Sequence, residues 1–141
     1  MKIYLASSWK NVELVSSWYY YLDSYGFEVD AFCNNSKGRY VFHFSEIVPV
    51  DDLDAINFLQ DDRSKKAFLE DKKWLNWADA CLLILPAGKS SHLEAGYAKG
   101  RGKKLIIWQK DFPKGEFDVM YGFADLISDS YSDVREFLER Q

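Results

Sequence analysis

Residues Asp79–Lys104 read DACLLILPAGKSSHLEAGYAKGRGKK, and this stretch decides the predicted fold. Its first part, Ala80–Leu85, is an unbroken apolar run that ends at Pro86, which is typical of a central parallel strand buried on both faces. A small polar loop follows, and Ser91 is a suitable N-cap for a helix that ends at Gly100. The stretch therefore predicts a strand, a loop and a helix, in that order.

Glu94 falls in the first turn of this predicted helix, just beyond the carboxyl end of the predicted strand. In a parallel sheet this edge forms the ligand-binding crevice, so the carboxylate is expected to face a site. Ser91 and Glu94 also have the spacing of a capping box, in which the glutamate only bonds back to the N-cap amide. On spacing alone, the capping interpretation is the stronger one.

The composition predicts one domain spanning 1–141 and excludes several kinds of function. There are 18 basic and 22 acidic residues, a formal charge of −4, and no basic stripe, so no nucleic-acid partner is expected. The chain begins with a strand pattern rather than a leader, and no apolar run is long enough to cross a membrane, which predicts a cytoplasmic protein without a membrane partner. Cys33 and Cys81 are expected to stay reduced, and His43 and His92 lack ligand spacing, so neither a metal nor a cofactor is expected.

Strand and helix patterns alternate along the whole chain. The predicted strands are Lys2–Ala6, Phe27–Ala31, Ala80–Leu85, Leu105–Trp108 and Ala124–Ile127. The other predicted helix N-caps are Asn11, Asp51 or Asp52, Ser64, and Ser130 or Ser132. This order predicts the α/β class: a flavodoxin-like, doubly wound, five-stranded parallel sheet with strand order 2-1-3-4-5 in a three-layer α/β/α arrangement.

Two acidic residues interrupt apolar patterns. Asp30 alternates with apolar neighbours, which predicts a strand with one solvent-facing side near a sheet edge. Asp71 breaks the apolar face of a predicted helix. It either pairs with Lys72, Lys73 or a neighbouring chain segment, or it lies in a cleft with a perturbed pKa, and the pattern supports both interpretations equally.

The segment Cys33–Val50 combines turn residues with an aromatic patch of Tyr40, Phe42 and Phe44. It is either an insertion that covers the substrate or an aromatic loop packed on the core, and the two are equally well supported. The role of residues 33–63 stays open.

Four segments together carry a resemblance to a known family: IYLASSWK at 3–10, EDKKWLNWADACLLILP at 70–86, HLEAGYAKGRGKKLIIW at 92–108 and DVMYGFAD at 118–125. In their joint order and spacing they resemble the nucleoside 2-deoxyribosyltransferase family and its relatives, the deoxynucleoside-monophosphate N-glycosidases. The matches run from the first predicted strand to the fifth. The resemblance implies an enzyme that cleaves the N-glycosidic bond of a (deoxy)nucleoside and transfers the sugar to another base.

The resemblance also implies roles for individual residues. Glu94, in a Glu-x-Gly-x-Ala pattern, matches the family nucleophile that attacks the anomeric carbon of the sugar. Asp71 matches the family aspartate that assists departure of the base, and Tyr4 and Trp9 match positions around the sugar and base. Two separated carboxylates suit a reaction in which positive charge develops on the sugar and negative charge on the base. The match therefore favours a catalytic role for Glu94, because a capping box does not account for Asp71.

One position departs from the family pattern and leaves the 5′ group of the substrate open. Gly88 stands where the transferases commonly carry Asp and the nucleotide hydrolases Ser. Two loops nevertheless offer hydroxyl, ammonium and backbone N–H donors suited to a phosphate. These residues are Ser7, Ser8, Lys10, Lys89, Ser90 and Ser91. A (deoxy)nucleoside 5′-monophosphate N-glycosidase that hydrolyses its substrate is therefore an alternative, and a non-catalytic nucleotide-binding sensor module is another.

The segment after the fourth predicted strand indicates a partner subunit. Asp118-Val119-Met120 resembles an Asn-x-Met segment that transferases of this family insert into the sugar site of the adjacent protomer, with Asp in place of Asn. Phe117 and Met120 in an otherwise polar loop also favour a partner surface, although the loop can equally fold back on its own chain. The resemblance therefore implies a homodimer or a higher homo-oligomer, with Asp118 and Met120 in the neighbour's site.

Overall fold

Five parallel strands form a single twisted sheet in the computed structural model, which describes residues 1–47 and 50–141. The strands are β1 (Lys2–Ala6), β2 (Glu28–Ala31), β3 (Ala80–Ile84), β4 (Lys104–Trp108) and β5 (Leu126–Ser128). The helices are α1 (Val12–Ser24), α2 (Ala55–Gln60), α3 (Asp62–Trp77), α4 (Lys89–Gly100) and α5 (Tyr131–Glu139). The strand order β2-β1-β3-β4-β5, with parallel pairing throughout, confirms the predicted flavodoxin-like architecture.

Alternate residues of the buried strands point to opposite faces of the sheet and form two separate cores. On one face, Ile3 and Leu5 of β1 pack with the apolar sides of α1 and α5. On the other face, Tyr4 and Ala6 of the same strand pack with α3 and α4. β3 contributes to both cores and is buried along its whole length, as its unbroken apolar run predicts. The sheet is therefore the middle layer of three.

Two helix starts differ from the sequence prediction. α2 begins after Asp54 and α3 begins after Asp61, and each carboxylate accepts a hydrogen bond from a backbone N–H of the first turn. The predicted caps at Asp51 or Asp52 and at Ser64 are therefore wrong. Residues with similar capping propensity lie close together in this part of the chain, so propensity alone does not select one of them. The prediction of Ser130 as the cap of α5 is confirmed.

No helix in the described part of the chain is both long and apolar enough to cross a membrane. Within residues 1–47 and 50–141, no group of three or more His, Cys, Asp or Glu side chains is arranged to hold a metal ion. Cys33 and Cys81 are both free thiols, and Cys81 is buried in β3.

Candidate active site

The start of α4 determines where Glu94 points. The helix begins at Lys89, with Gly88 as its N-cap, which is three residues earlier than predicted. Ser91 lies buried in the first turn, so the predicted N-cap at Ser91 is wrong and the capping box with Glu94 does not form. Glu94 consequently lies in the second turn. Its carboxylate is not used for capping and can point toward the carboxyl end of the sheet.

The carboxylate of Glu94 meets Tyr4, which projects from β1 beneath α4. Tyr4 is almost fully buried, and its hydroxyl donates a hydrogen bond to Oε2 of Glu94. The pKa of Glu94 is raised to about 8, chiefly by burial and also by the charge of Asp71, while the hydrogen bond from Tyr4 acts in the opposite direction. Burial also raises the pKa of Tyr4 well above its ordinary value, so the phenol keeps its proton and remains a donor.

Asp71 lies on α3 at the edge of the same site, where Arg39 holds it. Nη2 of Arg39 donates to Oδ1 of Asp71 at 2.8 Å. Nε of Arg39 donates to Oδ1 and Oδ2 of Asp30 at 3.0 and 3.2 Å. The Arg39 and Asp30 side chains are each 3% exposed, whereas the Asp71 side chain is 40% exposed. The partner of Asp71 is therefore a neighbouring chain segment rather than Lys72 or Lys73 of its own helix.

Asp30 corrects the prediction that this side of β2 faces solvent. The chain after β2 folds back over the edge strand, and the Arg39 guanidinium supplies the partner that a buried carboxylate requires. Burial raises the pKa of Asp30 to about 6 against the opposing effect of Arg39. Burial likewise raises the pKa of Asp71, and Arg39 again opposes the change.

Arg39 was not among the predicted site residues, because it follows a turn in a segment with neither helical nor strand periodicity. The available signal was indirect. Asp30 and Asp71 each break an apolar pattern, and two acidic residues in half-buried positions call for a cation between them.

Asp71 and Glu94 open onto one cleft of about 920 Å³. The predicted residues Trp9 and Ser90 also line this cleft. Most of the remaining wall is apolar and comes from α2, α3, α4 and the chain after β2, including Phe42, Phe44, Phe58, Phe68, Leu75 and Leu93. An aromatic-walled cleft of this size, with a few polar groups at its end, suits a ligand of nucleoside size.

The segment Cys33–Val50 contributes directly to this cleft through Phe42 and Phe44. Val48 and Pro49 of the segment lie outside the described residues. Trp9 packs edge-on against His43, with ring centroids 5.1 Å apart, which joins the segment to the end of β1. The described part of the segment thus supports the interpretation of a covering insertion.

Ser7 and Ser8 have structural partners at the end of β1. The Ser7 hydroxyl is buried and donates to the last carbonyl of β3 at 2.8 Å, and Ser8 caps the short 3₁₀ helix Trp9–Asn11. Asn11 occupies the N-cap position of α1 as predicted, but its side-chain amide donates to the Pro86 carbonyl at 2.6 Å and makes no capping hydrogen bond. These contacts tie β1 to the loop after β3 at the site. Lys89 is exposed on the first turn of α4 and does not line the cleft.

Asp118 and Met120 lie away from the cleft of their own chain. Asp118 lines a second cavity, of about 720 Å³, beside the ends of β3 and β4, and its carboxylate accepts a hydrogen bond from the Met120 N–H at 2.7 Å. His92 of α4 stacks on Tyr121, with Nε2 3.1 Å from the phenol oxygen. The segment Phe117–Phe123 is therefore attached to α4 but does not reach Glu94 within one chain.

The raised pKa of Glu94 predicts that the protein loses stability as the pH rises. Between the ordinary pKa of 4.5 and about 8, the folded state retains a proton that the unfolded state releases. Since the folded state then binds more protons, the free energy of unfolding falls with pH across this range and levels off above it. Glu94→Gln removes the titration. We expect this variant to be more stable than the wild type by about 1–3 kcal/mol at about pH 9. This is less than the free energy equivalent to the whole pKa shift, because the Glu94 side chain is only partly buried.

Urea unfolding near pH 4 and pH 9 measures this difference, which should shrink at the acid end where both states are protonated. Glu136→Gln is the matched control, because the Glu136 side chain is 52% exposed on α5. A difference between Glu94→Gln and the wild type that is the same at both pH values would contradict the prediction.

Solved structures of known enzymes share this fold over nearly the whole chain, whereas comparisons with protein-family models and with curated proteins find no match. The chain is similar to the CMP N-glycosidase BcmB from Clostridium botulinum, with 15% identity, 99% of each chain covered and a TM-score of 0.58. It is similar to a 2-deoxyribosyltransferase from the psychrotolerant bacterium Bacillus psychrosaccharolyticus, with 21% identity, 96% of this chain and 90% of that chain covered and a TM-score of 0.65. A conserved protein from Enterococcus faecalis V583 is also similar, with 12% identity, 99% and 98% covered and a TM-score of 0.66. At these identities the similarity establishes the shared fold.

Proposed function

We propose that this protein is an enzyme of the nucleoside 2-deoxyribosyltransferase type, which cleaves the N-glycosidic bond of a (deoxy)nucleoside and transfers the sugar to another base. The observation that carries the proposal is the Glu94 carboxylate, oriented by Tyr4 and sharing one aromatic cleft with Asp71. Two of the structurally similar enzymes, a CMP N-glycosidase and a 2-deoxyribosyltransferase, give the proposal its support at the level of the fold.

Glu94 is the proposed nucleophile. Glu94 reacts in its ionised form, whose fraction grows as the pH rises toward about 8. An oxygen of that carboxylate forms a bond to C1′ of the sugar while the C1′–N bond breaks, and the electron pair of that bond passes to the base. Tyr4 donates to Oε2 and so holds the carboxylate in one orientation, leaving Oε1 for the sugar. A ring nitrogen of a second base, or water, then attacks C1′ and releases Glu94. Transfer and hydrolysis differ only in this acceptor.

Asp71 is the group placed to contact the base. Asp71 lines the cleft from α3, whereas Glu94 lines it from α4. A nucleoside bound with its sugar at Glu94 can therefore place its base beside Asp71. The aromatic side chains Trp9, Phe42 and Phe44 line the same cleft and offer stacking surfaces for a planar base.

The test is release of free base. The protein is incubated with mixed deoxynucleosides or their 5′-monophosphates, with and without a second free base, and the products are separated by chromatography. We expect free base from the wild type and a new nucleoside when the second base is present. Ligand binding without any base release would instead identify a non-catalytic sensor module.

Hydrolysis of a nucleoside 5′-monophosphate is a second candidate, and the start of α4 favours it. Gly88 provides no side-chain cap, so the first N–H groups of α4 are available to an anion, and Ser90 lines the cleft beside them. A Cβ added at Gly88 meets no atom within 4 Å, so a larger side chain fits there. If the phosphate binds here, Gly88→Asp should lower kcat/KM for the monophosphate by roughly 10-fold or more relative to the nucleoside, because the carboxylate repels the phosphate. Equal losses on both substrates would remove this candidate.

We also propose that a second copy of the chain completes the site through the segment Phe117–Phe123. Phe117, Val119 and Met120 are 86%, 87% and 57% exposed, so this segment presents an apolar surface to solvent. Asp118 lies beside them and lines the second cavity rather than the cleft that holds Glu94. A two-fold assembly that exchanges these segments would bring Asp118 and Met120 to the neighbour's Glu94.

Mixing two inactive variants tests this assembly. Glu94→Ala and Met120→Asp are each expected to lose activity, and an equal mixture of re-associated dimers should recover about a quarter of the wild-type activity, because one site of each mixed dimer is intact. Sedimentation of the wild type measures the assembly itself. A fully active monomer would rule out a shared site.

A further inference from the structure

We propose that Arg39 fixes Asp71 as an anionic hydrogen-bond acceptor for the base. The site therefore selects bases that can carry a proton beside an amino group, as cytosine and adenine do, over uracil, thymine and hypoxanthine. This inference rests on the proposed function, since it concerns the base that Glu94 displaces.

Arg39 is immobilised between two elements. Its Nε is shared by both oxygens of Asp30 in β2, and its Nη2 bonds Oδ1 of Asp71 in α3 at 2.8 Å. The Arg39 side chain is 3% exposed, so water does not compete for the guanidinium. A planar guanidinium held at two edges imposes one orientation on the carboxylates that it bonds.

Asp71 keeps an acceptor for a ligand. Among the described residues, its hydrogen-bond donor is Arg39 on Oδ1, and no donor reaches Oδ2. The Asp71 side chain is 40% exposed and lines the cleft. The adjacent carboxylate differs, because Glu70 accepts hydrogen bonds from the Tyr40 N–H and the Trp74 indole and so is occupied by its own chain.

Negative charge exceeds positive charge around Asp71. The charged and titratable groups that face it are Arg39 from the chain after β2, Asp30 from β2, Tyr4 from β1, Glu94 from α4, and Glu70 and Lys72 from α3. Arg39 is the buried cation of this set, and Lys72 is exposed. Asp30 and Asp71 therefore share one buried guanidinium, and Glu94 adds a further negative charge when it ionises at higher pH, which favours a cationic over an anionic ligand.

A protonated base is attracted by this excess of negative charge and is also a better leaving group. The ring nitrogen takes a proton from hydronium in the solvent, and Asp71 stabilises the resulting cation. When the C1′–N bond then breaks, its electron pair neutralises the cation, and the base departs neutral instead of as an anion. The water or second base that later attacks C1′ returns a proton to the solvent. Asp71 keeps its charge throughout and needs to donate no proton.

The two classes of base differ at the edge that meets a carboxylate. Protonated cytosine or adenine presents a ring N–H and an amino N–H side by side, which match the two oxygens of a carboxylate. Uracil, thymine and hypoxanthine present a ring N–H beside a carbonyl, and the carbonyl oxygen would face a carboxylate oxygen. This repulsion is the source of the expected selection.

The first experiment compares 2′-deoxycytidine with 2′-deoxyuridine, and 2′-deoxyadenosine with 2′-deoxyinosine, each as nucleoside and as 5′-monophosphate. We expect kcat/KM to be about 10- to 100-fold higher for the amino-bearing member of each pair. Asp71→Asn keeps the shape of the side chain but removes its charge, so the preference should collapse. No preference in the wild type, or an unchanged preference in Asp71→Asn, would overturn the inference.

The second experiment tests Arg39 as the positioning residue. Because Arg39 lowers the pKa of Asp71, Arg39→Gln should raise it, and ¹³C NMR titration of the Asp71 carboxyl should detect that rise. The base preference should fall near neutral pH in Arg39→Gln and recover at higher pH, while Arg39→Lys, which keeps the charge, retains more of it. Arg140→Gln, at a side chain 72% exposed, is the matched control and should change neither property.

A second variant covers the case in which Arg39→Gln does not fold, and a binding measurement covers the case in which the protein releases no base. Asp30→Asn with Arg39→Gln removes both buried charges, and this double variant replaces Arg39→Gln if the single variant does not fold. If the wild type releases no base at all, the proposed function fails, but calorimetry with free cytosine and free uracil still decides this inference. The inference would be overturned if cytosine bound no more tightly than uracil, or if the pKa of Asp71 were the same in Arg39→Gln as in the wild type.

Discussion

Replacement of Glu94 with alanine is expected to abolish base release, with a fall in turnover of at least about 10³-fold, because the proposed nucleophile is lost. The fold should persist. The variant loses the hydrogen bond from Tyr4, worth about 1 kcal/mol, but it also removes a poorly solvated carboxyl, so the two effects on stability oppose each other. Chromatography of free base and circular dichroism measure activity and folding separately.

Glu136→Ala is the control for this substitution, because its carboxylate is exposed on α5, on the opposite face of the sheet. This control should keep the wild-type turnover. Turnover of Glu94→Ala within about twofold of the wild type would remove Glu94 as the nucleophile.

The second large effect is on stability. Arg39→Met should lower the free energy of unfolding by about 3–5 kcal/mol near neutral pH, because Asp30 is left buried beside a side chain that cannot donate to it. Adding Asp30→Asn to Arg39→Met should recover part of the loss, since the unpaired charge is then absent. Urea unfolding of the wild type, both single variants and the double variant completes the cycle.

Acidification offers an internal check on the same substitution. Asp30 in Arg39→Met is expected to take up a proton as the pH falls, so the stability difference from the wild type should narrow toward about pH 5. A loss below about 1 kcal/mol near neutral pH would show that the Arg39 bridge contributes little to the fold.

The strand order and the convergence of four site residues followed from the sequence. The unbroken apolar run of β3 defined the middle of the sheet, and the loop and helix after it brought Glu94 to the carboxyl edge. Tyr4, Trp9 and Asp71 meet there because β1 is next to β3 and α3 packs on the same face. The catalytic roles of these residues remain predictions.

Features that depend on contacts between distant segments were not predictable. The choice of Asp54, Asp61 and Gly88 as helix caps depended on small differences among neighbouring residues with similar local preferences. Arg39 and Asp30 became a pair only when an aperiodic segment folded back over the edge strand. The broken apolar patterns at Asp30 and Asp71 indicated that a cation was needed, but they did not identify the residue that supplies it.

One face of the sheet holds the cleft and the other holds only packed core side chains, and this division affects how the scaffold can change over evolution. Trp18 stacks on Tyr131 with ring centroids 4.1 Å apart and meets Trp108 at 5.2 Å, all on the face away from the cleft. That aromatic layer anchors α1 and α5 without using any group of the site. Substitutions in α3, α4 and the chain after β2 that leave Arg39 and Asp71 in place can therefore reshape the cleft while the opposite layer keeps the sheet intact, and a library confined to those segments is the economical route to changing what the cleft binds.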